Sequence, residues 1–172
     1  MSAASVPARH PTTSSSGSRA ELADLPKNRK IAAELGVVGV LAVELMHAPD
    51  GSVVVNELAM RPHNTGHWSI DGAVTSQFEQ HLRAVLDLPL GDPRPVAPWT
   101  VMANVLGGDY PQIYPAYRHV MARDPGAKVH MYGKGVRPGR KIGHVSVSGE
   151  DLADLRERAR HAADYLQGII TE

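Results

Sequence analysis

Residues 56–68 read NELAMRPHNTGHW and follow directly on the apolar run VVV. Glu57 in VNEL has a counterpart upstream, Glu44 in AVEL. Between them APDGS carries turn chemistry, a Pro followed by Asp-Gly. The apolar, β-branched segments 37–46 and 53–59 on either side predict a hairpin. If that hairpin is symmetric about Asp50-Gly51, Glu44 and Glu57 oppose each other with Cβ atoms ~5 Å apart. Two like charges so placed repel by about 3 kcal/mol at an effective dielectric of about 20. A shared proton, an intervening Lys or Arg, or a divalent cation relieves that repulsion. Two carboxylates without a thiol suit Mg2+ or Mn2+, completed by phosphate oxygens and water. The competing reading is a surface pair, each acid with its own cation. The apolar β runs ahead of both acids favour the metal.

The residues after Glu57 add chemistry for a small anion. Arg61 offers a planar fork for carboxylate or phosphate. His63 can donate, accept or shuttle a proton near neutral pH. Asn64 adds one donor group and one acceptor, and Gly66 lets the backbone approach a ligand. Asn56 is placed to turn its amide to the other face or toward a ligand. Trp68 reads as packing. The bland alternative is a polar loop with a capped turn, but four such residues beside the acid pair favour a site. A second cluster, GKGVRPGRKIGH at 133–144, holds Lys134, Arg137, Arg140 and Lys141 among Gly and Pro. Such a loop can cradle a phosphate, although a solvated basic turn is the commoner reading. His81 and His130 lie in periodic segments and read as structural.

These residues need elements to hold them. Residues 1–28 are Ser/Ala/Pro-rich and aperiodic, and the expectation is a disordered leader. A helix should follow Pro26 and stop at Gly36. Residues 75–88 predict a helix, with Ser76 and Glu79 at capping-box spacing and Phe78, Leu82, Val85 and Leu86 on one face. PLGDPRPVAPW then marks a boundary, giving units at 29–95 and 96–172. The second unit reads as β-rich, with strands in WTVMANVLG, AKVHMYG and IGHVSVS. A terminal helix should start at Ser148 or Gly149.

Composition sets limits. The 172 residues carry 18 basic and 18 acidic side chains and no cysteine. Balanced charge gives no global field toward nucleic acid or a membrane, and no apolar run reaches the ~18 residues that span a bilayer. Without cysteine there are no disulfides or thiolate metal sites, which fits a reducing compartment.

The stretches GVLAVELM, DGSVVVNELAMRPHNTGHWSIDGAVTSQFEQHLRAVLDLPLG and YGKGVRPGRKIGHV together resemble the N5-carboxyaminoimidazole ribonucleotide synthetases of the ATP-grasp superfamily. RPHNTGHW followed by TSQFEQHLRAVL is the specific part; the glutamate pair alone would indicate only ATP-grasp. The resemblance implies an α+β fold: the C-terminal half of an ATP-grasp fold, an antiparallel sheet with flanking helices, then a small β-rich subdomain. It implies a cytoplasmic ligase of purine biosynthesis that uses ATP and bicarbonate to carboxylate 5-aminoimidazole ribonucleotide. By the same resemblance Glu44 and Glu57 hold Mg2+ or Mn2+, and Asn56 and Glu57 contact ATP. Arg61, His63 and Asn64 line the reacting site. Arg137, Arg140 and Lys141 hold the ribonucleotide phosphate.

Met60 stands where the family often has Pro, and Thr65 where Ser is usual. Family members are more than twice as long. The expectation is therefore a truncated C-terminal fragment whose leader is unrelated sequence. Its partners would be the three small substrates, with no nucleic acid and no membrane, and a second copy or a complementing chain to complete the cleft. The alternatives are a non-catalytic binding module and one half of a split enzyme.

Overall fold

The computed structural model describes the backbone of residues 2–7 and all of residues 28–108 and 113–171. The chain divides into two compact units, Met1–Pro95 and Val96–Glu172.

In the first unit three antiparallel strands lie in the order β1-β2-β3: β1 is Ser2–Pro7, β2 is Val40–His47 and β3 is Val53–Ala59. The strand at Ser2–Pro7 corrects the expected disordered leader, since it pairs with β2 from Ser2↔Leu45 to Pro7↔Val40. Small and polar residues hid it, because a strand bordered by an apolar neighbour can be held by its ladder hydrogen bonds. The rest of that expectation falls on 8–27, outside the described residues.

Helix α1 covers 28–34. It ends as Gly36 predicts, with φ +59 and the amides of Gly36 and Val37 closing on the carbonyls of Ala33 and Ala32. Ala32, Val37, Leu41 and Val43 form the core here, with Ile31 and Leu45 against it. After β3 come a 3-10 turn at Asn64–Gly66, the single-turn α2 at Ser69–Gly72 and α3 at Gln77–Val85. Half of the expected capping box forms at α3. Ser76 Oγ accepts from the Glu79 amide at 3.3 Å, while the Glu79 carboxylate pairs forward with Arg83. The apolar stripe of α3 is open. Phe78, Leu82, Val85 and Leu86 are exposed, and the helix buries Gln77 and Ala84 instead.

The second unit has the strand order β4-β6-β5, again antiparallel, with β4 Trp99–Leu106, β5 Lys128–Met131 and β6 Lys141–Gly149. Central β6 is buried from Ile142 to Val147. Helix α5, Leu152–Gln167, lays Leu155, Ala159, Ala162, Ala163 and Leu166 into that core. Asp151 caps it, accepting from the amides of Ala153 and Asp154. Ser148 and Gly149, the expected start, stay in β6 opposite Thr100 and Trp99. Helix α4, Tyr114–Arg123, is absent from the sequence reading. Its Tyr, Val and Pro content suggests a loop or strand. The signals for it were a Pro in the first turn and an Ala116/Val120 pair one turn apart, both buried.

Candidate functional site

The hairpin sets Glu44 opposite Glu57, but by a different route from the symmetric turn. Next to the turn the pairs are His47↔Val53, Met46↔Val54 and Leu45↔Val55, so the ladder centres on Asp50. Continued without interruption, it would put Glu44 opposite Asn56 and send Glu57 to the other face. A β-bulge at this point gives β3 one extra residue, and the register resumes at Glu44↔Glu57. The bulge that would have spoiled a symmetric hairpin is what pairs the two acids here. It also fixes Asn56: its Nδ2 donates to Glu44 Oε2 at 3.0 Å. Asp50 Oδ1 accepts from the Ser52 amide, and Gly51 supplies φ +82, which together close the turn.

The loop after β3 returns His63 to the same acid. His63 Nε2 lies 3.1 Å from Glu44 Oε1, with the two side chains 9% and 20% exposed. The other ring nitrogen, Nδ1, is 3.0 Å from Thr65 Oγ1 and 3.4 Å from the Thr65 amide. The backbone amide can only donate, so Nδ1 accepts and the proton sits on Nε2, aimed at the carboxylate. Arg61 is exposed; its guanidinium donates to the Pro62 carbonyl and stands 3.7 Å from Glu57 Oε1. Asn64 Oδ1 is buried with no hydrogen-bond partner, a polar oxygen for which burial is costly unless a ligand meets it.

The acids are thus relieved in part by protein groups, Glu44 by His63 and Asn56, and Glu57 distantly by Arg61. Capacity for a cation remains. An ionised carboxylate has about four acceptor positions, and Glu44 is given two partners. The two carboxylates, paired across the hairpin, are hard oxygen donors that fit Mg2+ better than a softer ion. Among the described residues no group of three or more His, Cys, Asp or Glu is gathered for a metal, so any cation here would need non-protein oxygens.

Arg137, Arg140 and Lys141 belong to the second unit. Arg137-Pro138-Gly139-Arg140 is a tight turn closed by the Arg140 amide on the Arg137 carbonyl at 3.0 Å, with Gly139 at φ +72. Pro then positive-φ Gly at its centre is a type II pattern. It puts the two arginines at the turn's ends, both exposed, and Lys141 begins β6. Gly107 anchors the turn. Its amide donates to the Arg140 carbonyl, its carbonyl accepts from the Gly139 amide, and a Cβ there would run into the Arg137 carbonyl oxygen. Beside it Lys134 Nζ stands 5.4 Å above the Tyr132 ring.

Two participants escaped the sequence reading. Thr65, noted only as a departure from Ser, holds the His63 ring by its hydroxyl. Gln77 braces the whole loop, and its only signal was a polar residue in the first turn of an amphipathic helix. His81 is structural, as expected: its Nδ1 accepts from the Val40 amide.

A family model of the ATP-grasp domain matches residues 5–78, and a model described as the phosphoribosylaminoimidazole carboxylase C-terminal domain matches residues 100–158. The first match begins inside the segment expected to be an unrelated leader, which corrects that expectation. The N5-carboxyaminoimidazole ribonucleotide synthase of Mycobacterium bovis is 62% identical over 140 residues, 80% of this chain and 33% of the relative. That of Aquifex aeolicus is 42% identical over 134 residues, 78% of this chain and 36% of the relative. The crystal structure of the phosphoribosylaminoimidazole carboxylase ATPase subunit from Aquifex aeolicus superposes with a TM-score of 0.70 at 36% identity, covering 96% of this chain and 46% of that one. The Aspergillus clavatus N5-carboxyaminoimidazole synthase, crystallised with ADP and 5-aminoimidazole ribonucleotide, gives a TM-score of 0.64 at 30% identity, covering 96% and 43%. The chain spans about a third of the length of the curated relatives it matches.

Proposed function

Since the chain belongs to the N5-carboxyaminoimidazole ribonucleotide synthetase family of ATP-grasp ligases, we propose that it carries the C-terminal share of a site that carboxylates 5-aminoimidazole ribonucleotide. ATP and bicarbonate would give carboxyphosphate and ADP. The ribonucleotide amine would then take the carboxyl group, releasing phosphate and a proton. The observation that carries this reading is the Glu44–Glu57 pair, set on one face by a bulge, with Glu44 held by Asn56 and His63.

In this reading Glu44 and Glu57 hold Mg2+ or Mn2+. The ion would supply charge neutralisation for the phosphates in transfer. Asn56 orients the Glu44 carboxylate and, with Glu57, contacts the nucleotide. His63 carries a proton on Nε2 and moves or holds it at Glu44, while Asn64 and Arg61 offer an amide and a guanidinium to the small anion. Arg137, Arg140 and Lys141 supply cations to the ribonucleotide phosphate. Among the described residues no helix is long and apolar enough to cross a membrane, and a cytoplasmic enzyme is the proposal.

One observation favours a second chain, or a second copy, as the source of the remaining walls. In the described sheet β3 is an end strand, and Val53, Val54, Val55 and Leu58 are 40–50% exposed on it. The apolar stripe of α3 is open too.

The test is phosphate release from Mg-ATP, with and without bicarbonate and the ribonucleotide, paired with calorimetric titration of Mg-ADP. Substrate-dependent release, or Mg-dependent nucleotide binding lost in Glu57→Gln, supports the reading. Nucleotide binding that is indifferent to Mg2+ and to Glu57→Gln overturns it.

A further inference from the structure

We propose that Gln77 is the positioning residue of the site: its single carboxamide fixes the backbone of His63 and selects the tautomer of His67. This rests on His63 being a site residue. Gln77 is 7% exposed although it stands in the first turn of α3. Oε1 accepts from the His63 amide at 3.0 Å, and Nε2 donates to the His63 carbonyl at 2.8 Å. These two bonds fix the amide's orientation, because a backbone N–H can only donate and a carbonyl only accept. The second Nε2 hydrogen points to His67 Nδ1 at 2.8 Å. His67 must therefore keep Nδ1 unprotonated and carry its proton on Nε2, with its ring stacked on Phe78 at 5.5 Å.

The surroundings are shaped for this amide. Gly66 has no Cβ because one would strike Gln77 Oε1. Ser69 Oγ donates to the Gly66 carbonyl at 2.6 Å and accepts from the Gln77 amide at 2.9 Å, tying the loop to the helix. With its backbone held at both ends and its Nδ1 met by Thr65, His63 has one direction left for Nε2, and Glu44 lies there. No other side chain type of this size makes the same three contacts. Glu cannot donate, Met can do neither, and Asn is one methylene short.

Nitrogen-15 NMR of the imidazoles in the full chain tests this at neutral pH, together with hydrogen exchange at the His63 amide. In the wild type, His67 should show an unprotonated Nδ1 and a protonated Nε2. In Gln77→Glu the carboxylate should draw a proton onto His67 Nδ1, and in Gln77→Met the His63 amide should exchange at least about tenfold faster. A wild-type His67 protonated at Nδ1 overturns the proposal whether or not any variant folds. So does an unchanged His67 tautomer in a folded Gln77→Glu. Mg-ADP titration of the same wild-type sample separates the two readings. Absent Mg-dependent binding with the expected tautomer sinks the proposed function alone, and binding with the wrong tautomer sinks the positioning role alone.

Discussion

His63 Nε2 meets Glu44 Oε1 at 3.1 Å across the mouth of a bulged hairpin, and both side chains are largely shielded. A proton donor held there makes Glu44 the more constrained of the two acids. Removing it in His63→Ala should lower stability by about 1.5–3 kcal/mol, the range for a hydrogen bond to a charged group. A double-mutant cycle with Glu44→Gln should return a coupling of about 1 kcal/mol. Additive single effects in thermal melts would show that the contact carries no energy.

Asn56→Asp would place a third carboxylate against Glu44 Oε2, the atom to which the amide now donates. Stability without divalent ions should fall by about 1–3 kcal/mol. Millimolar Mg2+ should then raise the melting temperature more in the variant than in the wild type. An equal response to Mg2+ in both proteins counts against a cation site at the pair.

How much of this the sequence disclosed depends on the element. The acid pair was readable because alternation and a Pro/Asp-Gly turn constrain a hairpin tightly, yet the bulge at Asn56 that decides the register left no periodic trace. Gln77 was invisible for another reason: its partners are backbone groups of His63, fourteen positions away, and such bonds leave no mark in residue types. The open stripe of α3 and the strand at Ser2–Pro7 ran against composition, because neighbouring structure and not local pattern determined their exposure and pairing.

In the second unit, Arg158 donates from Nε and one terminal nitrogen to both oxygens of Asp124 at 2.8 Å. These bonds hold the Asp124 carboxyl below the usual range for an aspartate. Because its folded value lies below the unfolded value of about 4, its contribution is present above that pH and is lost as pH falls through the folded value. Asp124→Asn should cost about 1–2 kcal/mol at neutral pH, allowing for the partly exposed guanidinium. Melts repeated in acid should show the two proteins converging; a constant gap would refute the ion pair as its source.

Burial first, then Arg123 and His119, pushes the His161 imidazole below its ordinary pKa, with Asp164 opposing and Arg160 adding to the shift. His119 and His161 stand 3.2 Å apart at Nε2, and Tyr165 stacks on His119 at 3.7 Å. The unfolded chain binds protons from about pH 6.5 downward, before the folded ring does. Stability from this group is therefore present above about pH 6.5 and is lost as pH falls through the folded value. His161→Gln should flatten the fall in melting temperature between about pH 7.5 and 5.5, and an unchanged slope would assign that fall elsewhere.

Gly107→Ala should be more damaging than Gly135→Ala. A Cβ at Gly107 meets the Arg137 backbone, which cannot swing aside, whereas at Gly135 it meets nothing within 4 Å. About 1–3 kcal/mol separates such cases. Chemical denaturation of both variants checks the order.

The bonds of Gln77 and Ser69 also have a kinetic meaning. Residues 63, 66 and 67 are fastened to the first turn of α3 through two side chains. Such a loop has few ways to fray one residue at a time. It should open as one cooperative event together with the start of α3, and the amides within it should share one opening rate. His63 and His67 would then be lost and regained together, so the site would populate an assembled and a released form with little in between.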